Sequence, residues 1–274
     1  MPVRVHYYTD PACAESWAAE PAVRQLMVEF GADLSFQFVM GGLAREYETP
    51  PLLGWLSAAD RSGMPVDPLL WRDGPIVSTY PACMAVKAAA EQADDGGYRY
   101  LRALREGLFC LRRKLDTTEA LVEEARGVGL DVERFRIDLA SNAILEAFGN
   151  DLEATRTIPE EARAAGAVVD TGGVERLPFP TLAFEAAGGE THWVFGLQAY
   201  AAYRAAALAA GASPTDERPS VAQALERFGR LAGVEAAAVC GLPPARAHLE
   251  LWDLALEWRA RPIAVLAAHL WEAA

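Results

Sequence analysis

Cys13 and Ser16 are the residues whose types and spacing first suggest chemistry. They stand in Asp10-Pro11-Ala12-Cys13-Ala14-Glu15-Ser16-Trp17, after a short apolar run and at the opening of a helical one. A cysteine at a strand-to-helix junction sits at a helix N-terminus. There, unpaired N–H groups and the macrodipole favour thiolate over thiol, and the chemistry on offer is nucleophilic attack by sulfur. Glu15 acts the other way. A charge near an exposed first turn is worth roughly 0.3–1 kcal/mol, less than the roughly 1.4 kcal/mol of one pKa unit. The two effects largely cancel, and the sequence predicts a modestly lowered thiol pKa. Cys110 and Cys240 are flanked by apolar residues and read as small buried hydrophobes. The four cysteines and four histidines are too scattered for a metal pattern, so no metal site is expected.

The elements that must position Cys13 can be read from periodicity. Residues 3–8 alternate as a strand, 14–30 read as one helix closed by Gly31, and 34–39 read as a second strand. A β-α-β unit with a crossover helix implies parallel strands and right-handed winding. From 49 to 171 the pattern is helical, with helices at 78–93, 98–114, 117–128, 131–140 and 143–165 and no strand-like run between them. Residues 181–185 and 191–195 then form a hairpin around Ala187-Gly188-Gly189, followed by a helix over 197–210. The order β-α-β, helical insert, β-β-α resembles an α/β thioredoxin fold interrupted after its first motif. Beyond a linker-like stretch at 211–219, helices are expected at 221–231, 234–239 and 246–257, and 259–271 reads as a hairpin or a short helix. That tail has the outline of a winged helix. The predicted division is a thioredoxin-like domain (1–48 and 172–211), an inserted helical domain (49–171) and a C-terminal helical extension (212–274).

A second chemical signal is Leu177-Pro178-Phe179-Pro180-Thr181-Leu182. Proline directly before a strand in this fold is typically cis, and Pro180 is the candidate rather than Pro178. The loop would lie across from Cys13, with the Phe179 backbone free to pair with an extended peptide.

At this point the chain resembles the DsbA family, in the FrnE-like branch of thioredoxin-fold proteins. The resemblance rests on Tyr8-Thr9-Asp10-Pro11-x-Cys13 with Trp17-x-x-Glu20-Pro21, on Ser78-Thr79-Tyr80-Pro81-Ala82, and on Leu104-Arg105-Glu106-Gly107-Leu108-Phe109. It continues through Ala125-x-x-x-Gly129-Leu130-Asp131, Phe179-Pro180-Thr181-Leu182 and Gly196-x-Gln198-x-Tyr200, covering about residues 3–205. It implies Cys13 as nucleophile, Pro180 as the cis-proline, and Phe179, Pro180 and Trp17 as substrate-binding residues. Trp17 is alternatively a core residue of the helix. Ser16 stands where the family has its resolving cysteine. A serine hydroxyl is protonated at neutral pH and forms no disulfide, so reversible dithiol oxidation within the motif is excluded. Cys83 follows Pro81 on a helix that faces the active site in the resembling family. It reads either as an internal resolving thiol or as a small buried residue. Asp10-Pro11 is expected to shape the loop, His6 and His192 to be ordinary strand residues, and Arg112-Arg113-Lys114 to be a solvated helix end.

Composition bounds the partners. The net charge is −13, and residues 227–274 carry five arginines against five carboxylates. That balance argues against phosphate binding and hence against nucleic acid. No apolar run is long enough for a membrane span and no signal peptide opens the chain, so a cytoplasmic location is expected. In that compartment a structural disulfide is not expected. Trp252, Trp258 and Trp271 offer apolar surface for packing on the core or for a homodimer.

The reading is a thiol-disulfide oxidoreductase with a single active-site cysteine, acting by mixed-disulfide exchange on protein or small-thiol substrates. No cofactor is implied beyond a low-molecular-weight thiol as co-substrate. One alternative is a non-catalytic peptide-binding or adaptor protein. The other is a glutathione-like thiol transferase or isomerase. The relatives that would support the latter carry serine at the first motif position, where this chain has Cys13.

Overall fold

The computed structural model describes residues 2–92 and 96–274. Its first strand, β1 (Val3–Thr9), buries every second side chain. The expected single crossover helix is two, α1 (Ala14–Ala18) and α2 (Glu20–Glu29). The break follows from Pro21, which has no N–H to offer the Trp17 carbonyl and whose ring would crowd it. Strand β2 (Leu34–Met40) runs parallel to β1, with Val3 opposite Leu34.

The helical insertion begins with two helices that the sequence reading left out, α3 (Leu52–Ser62) and α4 (Leu70–Asp73). Next come α5 (Tyr80–Ala90) and α6 (Gly96–Phe109). Ala93, the expected end of the former, lies outside the described residues. The helix predicted to reach Lys114 stops at Phe109. Leu111 N–H turns back to the Glu106 carbonyl, and Arg112 is left-handed at φ 52°, held by Asp67 and Asp73. Helices α7 (Thr118–Gly127), α8 (Val132–Leu139) and α9 (Asn142–Arg156) start at side-chain caps from Thr117, Asp131 and Ser141. Pro159 divides the last predicted helix, because the residue before a proline is driven out of helical conformation. The remainder is the short α10 (Glu160–Ala164). A two-stranded ladder follows, unforeseen in the sequence: β3 (Val169–Asp170) with β4 (Glu175–Arg176). Its turn uses Gly172 and Gly173 at φ 76° and 91°, backbone that only glycine adopts readily.

The hairpin β5 (Thr181–Glu185) and β6 (Thr191–Phe195) falls where the alternation predicted it. Helix α11 (Tyr200–Ala209) starts three residues later than expected. The four strands order as β2-β1-β5-β6, with β5 antiparallel to both neighbours.

In the extension, α12 (Val221–Phe228) ends before Gly229, and the last residues of its predicted span become strand β7 (Arg230–Ala232). Helices α13 (Gly233–Cys240) and α14 (Pro244–Leu256) precede β8 (Ala260–Val265) and β9 (Ala268–Ala273). Of the two readings offered for 259–271, the hairpin is observed, and β7-β9-β8 form a sheet. The extension therefore joins three helices to a three-stranded wing.

The sheet core centres on Val5, Tyr7, Leu26, Phe184 and Tyr203. A second core, centred on Trp55, Trp71, Leu104 and Phe109 of the insertion, also takes in Trp17 of α1, Met40 of β2 and Leu270 of β9. Val28 of α2 joins the core of the extension beside Leu225, Leu251 and Trp271. The crossover helices thus touch all three apolar clusters.

Candidate active site

The pairing of β1 with β5 builds the site. Tyr8 lies opposite Thr181, so the chain leaving β1 and the chain entering β5 emerge at the same end of the sheet. Cys13 takes the N-cap position of α1 in extended conformation (φ −76°, ψ 111°), and its N–H donates to the Asp10 carbonyl at 3.2 Å. Its thiol donates to the Phe179 carbonyl at 3.7 Å. The Phe179–Pro180 peptide bond is cis. Phe179 itself is buried, with its ring against Gly41, where a Cβ would lie 1.9 Å from the ring. Its side chain is thus packing, and its backbone faces the thiol.

The thiol pKa is raised, where a modestly lowered one was expected. Cys13 is only 5% exposed, and burial pushes its pKa up, assisted by the Asp10 carboxylate. The Ser16 hydroxyl and N–H and the Arg105 guanidinium favour the thiolate without overcoming burial. The local reading weighed the helix terminus against Glu15 and could not see desolvation, which also opposes the thiolate and tips the balance. Glu15 is occupied elsewhere, paired with Arg61 of α3.

Ser16 is fully buried, and its hydroxyl oxygen makes no hydrogen bond with any described residue. It is a donor available to a negative sulfur at Cys13. Trp17, assigned to substrate binding in the sequence reading, has no exposed surface. Its ring stacks on Phe109 at 5.5 Å, its N–H donates to the Pro65 carbonyl at 2.9 Å, and Arg102 lies 4.5 Å over it. That placement makes it the residue that docks α1 onto the insertion rather than a substrate contact.

Cys83 is drawn to the site, but to a different partner. Its thiol donates to Asp10 Oδ2 at 3.2 Å. Burial raises its pKa well above the ordinary thiol value, and the neighbouring carboxylate raises it further. A thiol held this way carries little thiolate at neutral pH. Asp10 also accepts from the N–H groups of Ala12 (2.8 Å) and Leu43 (2.6 Å) and from the Thr79 hydroxyl (2.8 Å). It therefore pins together the active-site loop, the loop after β2 and the start of α5. The sequence reading gave Asp10 only a loop-shaping role; its reach to residues 43, 79 and 83 was invisible there. Cys110 and Cys240 are buried as expected, with raised pKa values, Cys240 to about 11.

Beneath α1 and α2 lies a buried ionic network that the sequence reading missed. Arg102 contacts Glu20 at 3.1 Å, Glu106 at 2.7 Å and Glu235 at 2.7 Å. Arg24 reaches Glu235 at 3.3 Å and Glu20 at 3.7 Å, and Arg105 pairs with Glu20 and the Thr9 hydroxyl. Three arginines thus face three glutamates, from α2, α6 and α13. Burial opposes the Glu20 charge, but Arg105, Arg102 and Arg24 together lower its pKa. The signal available in the sequence was the spacing of Arg102, Arg105 and Glu106 on an otherwise apolar helical face. Among the described residues no group of side chains could hold a metal ion, and no helix is long and apolar enough to cross a membrane.

Comparison with known proteins bears on the fold. The ClpXP adapter protein SpxH of Halalkalibacterium halodurans is 32% identical over 167 residues, 57% of this chain and 55% of that protein. The ClpXP adapter protein SpxH of Bacillus subtilis is 30% identical over 159 residues, 56% of this chain and 53% of that protein. The chain spans about half the length of the curated relatives it matches. Among solved structures, a putative protein disulfide isomerase from Nitrosomonas europaea superposes with a TM-score of 0.62 at 19% identity, over 76% of this chain and 97% of that one. The cytosolic disulfide reductase DsbM from Pseudomonas aeruginosa gives 0.54 at 21% identity, over 70% and 88%. A probable DsbA oxidoreductase from Streptomyces coelicolor gives 0.54 at 21% identity, over 78% and 93%. At these identities the structural likeness is one of fold, a mixed α/β thioredoxin-like fold with DsbA-like neighbours. A thioredoxin family model matches residues 6–159, more than half of the chain, and the chain belongs to that family.

Proposed function

We propose that the protein exchanges disulfides through Cys13 alone, as a FrnE-like member of the DsbA group. The observation that carries this reading is the Cys13 thiol at the head of α1, facing the Phe179 carbonyl, with Ser16 at the resolving position and Cys83 tied to Asp10. The Cys13 thiolate attacks one sulfur of a partner disulfide. A Cys13–S–S–R bond forms, the partner S–S bond breaks and the second sulfur leaves as a thiolate. A second external thiolate then attacks the R sulfur, which restores the Cys13 thiolate and releases a new disulfide. Formation of the mixed disulfide withdraws the thiol proton from the Phe179 carbonyl and frees that oxygen to accept a peptide N–H. Burial keeps the resting group protonated, so reaction is slow until a bound partner shifts the equilibrium.

The test is intact mass spectrometry after incubation with glutathione disulfide. An adduct lost in Cys13→Ala and reversed by added thiol supports the reading; no adduct at any pH refutes it. We place the protein in the cytoplasm, in line with the compartment of the disulfide reductase among its structural neighbours. Its partners are protein or small thiols.

A second reading has its own support. The curated relatives are named as ClpXP adapters, and a buried, protonated thiol suits a binding protein as well as an exchanger. On that reading the loop of Phe179 and Pro180 holds a protein segment and the sulfur is dispensable. Undiminished partner capture by Cys13→Ala would favour it.

A further inference from the structure

Arg176 ends β4, two residues before the loop that faces Cys13. Its guanidinium carbon lies 4.3 Å over the Phe179 ring, and Nη1 donates to the Leu177 carbonyl at 2.8 Å. The tip of that ring packs against Gly41, and the carbonyl of Phe179 accepts from the Cys13 thiol at 3.7 Å. A guanidinium, an aromatic ring, a carbonyl and a sulfur are thereby joined in direct succession.

Among the described residues no carboxylate pairs with Arg176. Arg45, Lys114, Arg136, Arg156 and Arg227 also pair with no described carboxylate but are exposed, whereas Arg176 is half-buried. The arginines deeper in the site, Arg24, Arg102 and Arg105, each meet a glutamate. Burial works against the Arg176 charge, while the Cys13 sulfur and the Asp10 carboxylate favour it. A second, independent observation concerns Tyr47. Its hydroxyl is buried without a hydrogen-bond partner. After burial, the groups that oppose its ionisation are Asp10, Cys13 and Cys83. It is a neutral donor left unused at the same cluster.

We propose that Arg176 binds a carboxylate of the small thiol or disulfide that exchanges with Cys13, so that the site selects anionic over neutral or cationic low-molecular-weight thiols. This rests on the single-cysteine exchange reading and names its co-substrate class. The planar fork of an arginine suits a carboxylate, and stacking on Phe179 holds the fork in place. The sulfur chemistry is unchanged: the anionic thiol forms its S–S bond with Cys13 and leaves by the exchange already described.

The experiment uses probes with and without carboxylates. S-methylglutathione cannot exchange, so its binding reports the subsite alone. By calorimetry it should bind the native protein about tenfold more tightly than its diethyl ester, the scale of one charge-assisted hydrogen bond. Arg176→Met should abolish that difference, and Arg176→Lys should restore part of it. In parallel, adduct formation with glutathione disulfide should slow about tenfold in Arg176→Met, while adduct formation with cystamine, a cationic disulfide, should not slow. Equal binding of acid and ester, no binding of either, or an equal slowing of both disulfides overturns the proposal. Arg176-dependent binding of S-methylglutathione without any Cys13 adduct would uphold the subsite and refute the exchange reading.

Discussion

Cys83 Sγ lies 3.2 Å from Asp10 Oδ2 and donates its proton to that buried carboxylate. The same carboxylate takes bonds from Ala12, Leu43 and Thr79. Cys83 is thus held on Asp10, while the Cys13 thiol faces the Phe179 carbonyl.

A mixed disulfide on Cys13 should therefore persist until an external thiol removes it. Cys83→Ala should leave both its formation and its lifetime unchanged within about twofold, as expected for a residue outside the reaction. Intact mass over time checks this. Conversion of the adduct into an internal disulfide in the native protein, seen as loss of the small thiol with two hydrogens missing, would contradict it.

The Cys13 thiol should titrate above the ordinary value of 9.0. Iodoacetamide alkylation, followed at Cys13 by peptide mass spectrometry, should be slower at neutral pH than for an exposed cysteine and should keep rising beyond that value. An inflection near neutrality would refute it. The same burial raises Cys83, Cys110, Tyr7 and Tyr100. The unfolded chain loses these protons at lower pH than the native one, so it binds fewer protons there and stability falls as pH rises through the ordinary thiol and phenol range. Urea midpoints measured from neutral to alkaline pH should decline accordingly.

Ser16→Cys should restore a dithiol motif. The new thiol would occupy the place of a buried hydroxyl that has no partner to lose, and stability should change by less than about 1.5 kcal/mol. The glutathione adduct should then be short-lived, replaced by an internal Cys13 disulfide, and insulin reduction should become catalytic. A long-lived adduct in this variant would mean that geometry, not the missing sulfur, prevents resolution.

Glu20→Gln should be among the most damaging single changes outside the thiol. It leaves Arg24, Arg102 and Arg105 facing one carboxylate fewer in a buried network, and breaking such a pair costs about 3–5 kcal/mol. Chemical denaturation checks the size. The native pKa of Glu20 is lowered, so its contribution is present above the unfolded carboxyl value of 4.5 and is lost as pH falls through the lower native value. The variant should show a shallower acid dependence than the native protein.

Much of the architecture was legible because it is locally written. Alternation over β1, β2 and the β5–β6 hairpin, glycine stops and side-chain caps each act within a few residues. Where the reading slipped, a second local rule intervened: Pro21 and Pro159 divided two predicted helices, and the left-handed Arg112 ended a third. Helix α4 and the β3–β4 ladder are too short to carry a period, and α3 opens at Pro51 without a side-chain cap to announce it.

By itself the sequence determined that a lone cysteine heads the first helix, that a serine stands three residues after it, and that a Phe-Pro pair enters the facing strand. Only the tertiary structure decided how that sulfur behaves. Desolvation outweighs the helix terminus at Cys13, Asp10 captures Cys83 from 73 residues away, and Glu235 reaches Arg102 across 133 residues. Protonation state depends on what surrounds a group in space, and for a buried thiol those neighbours come from every part of the chain.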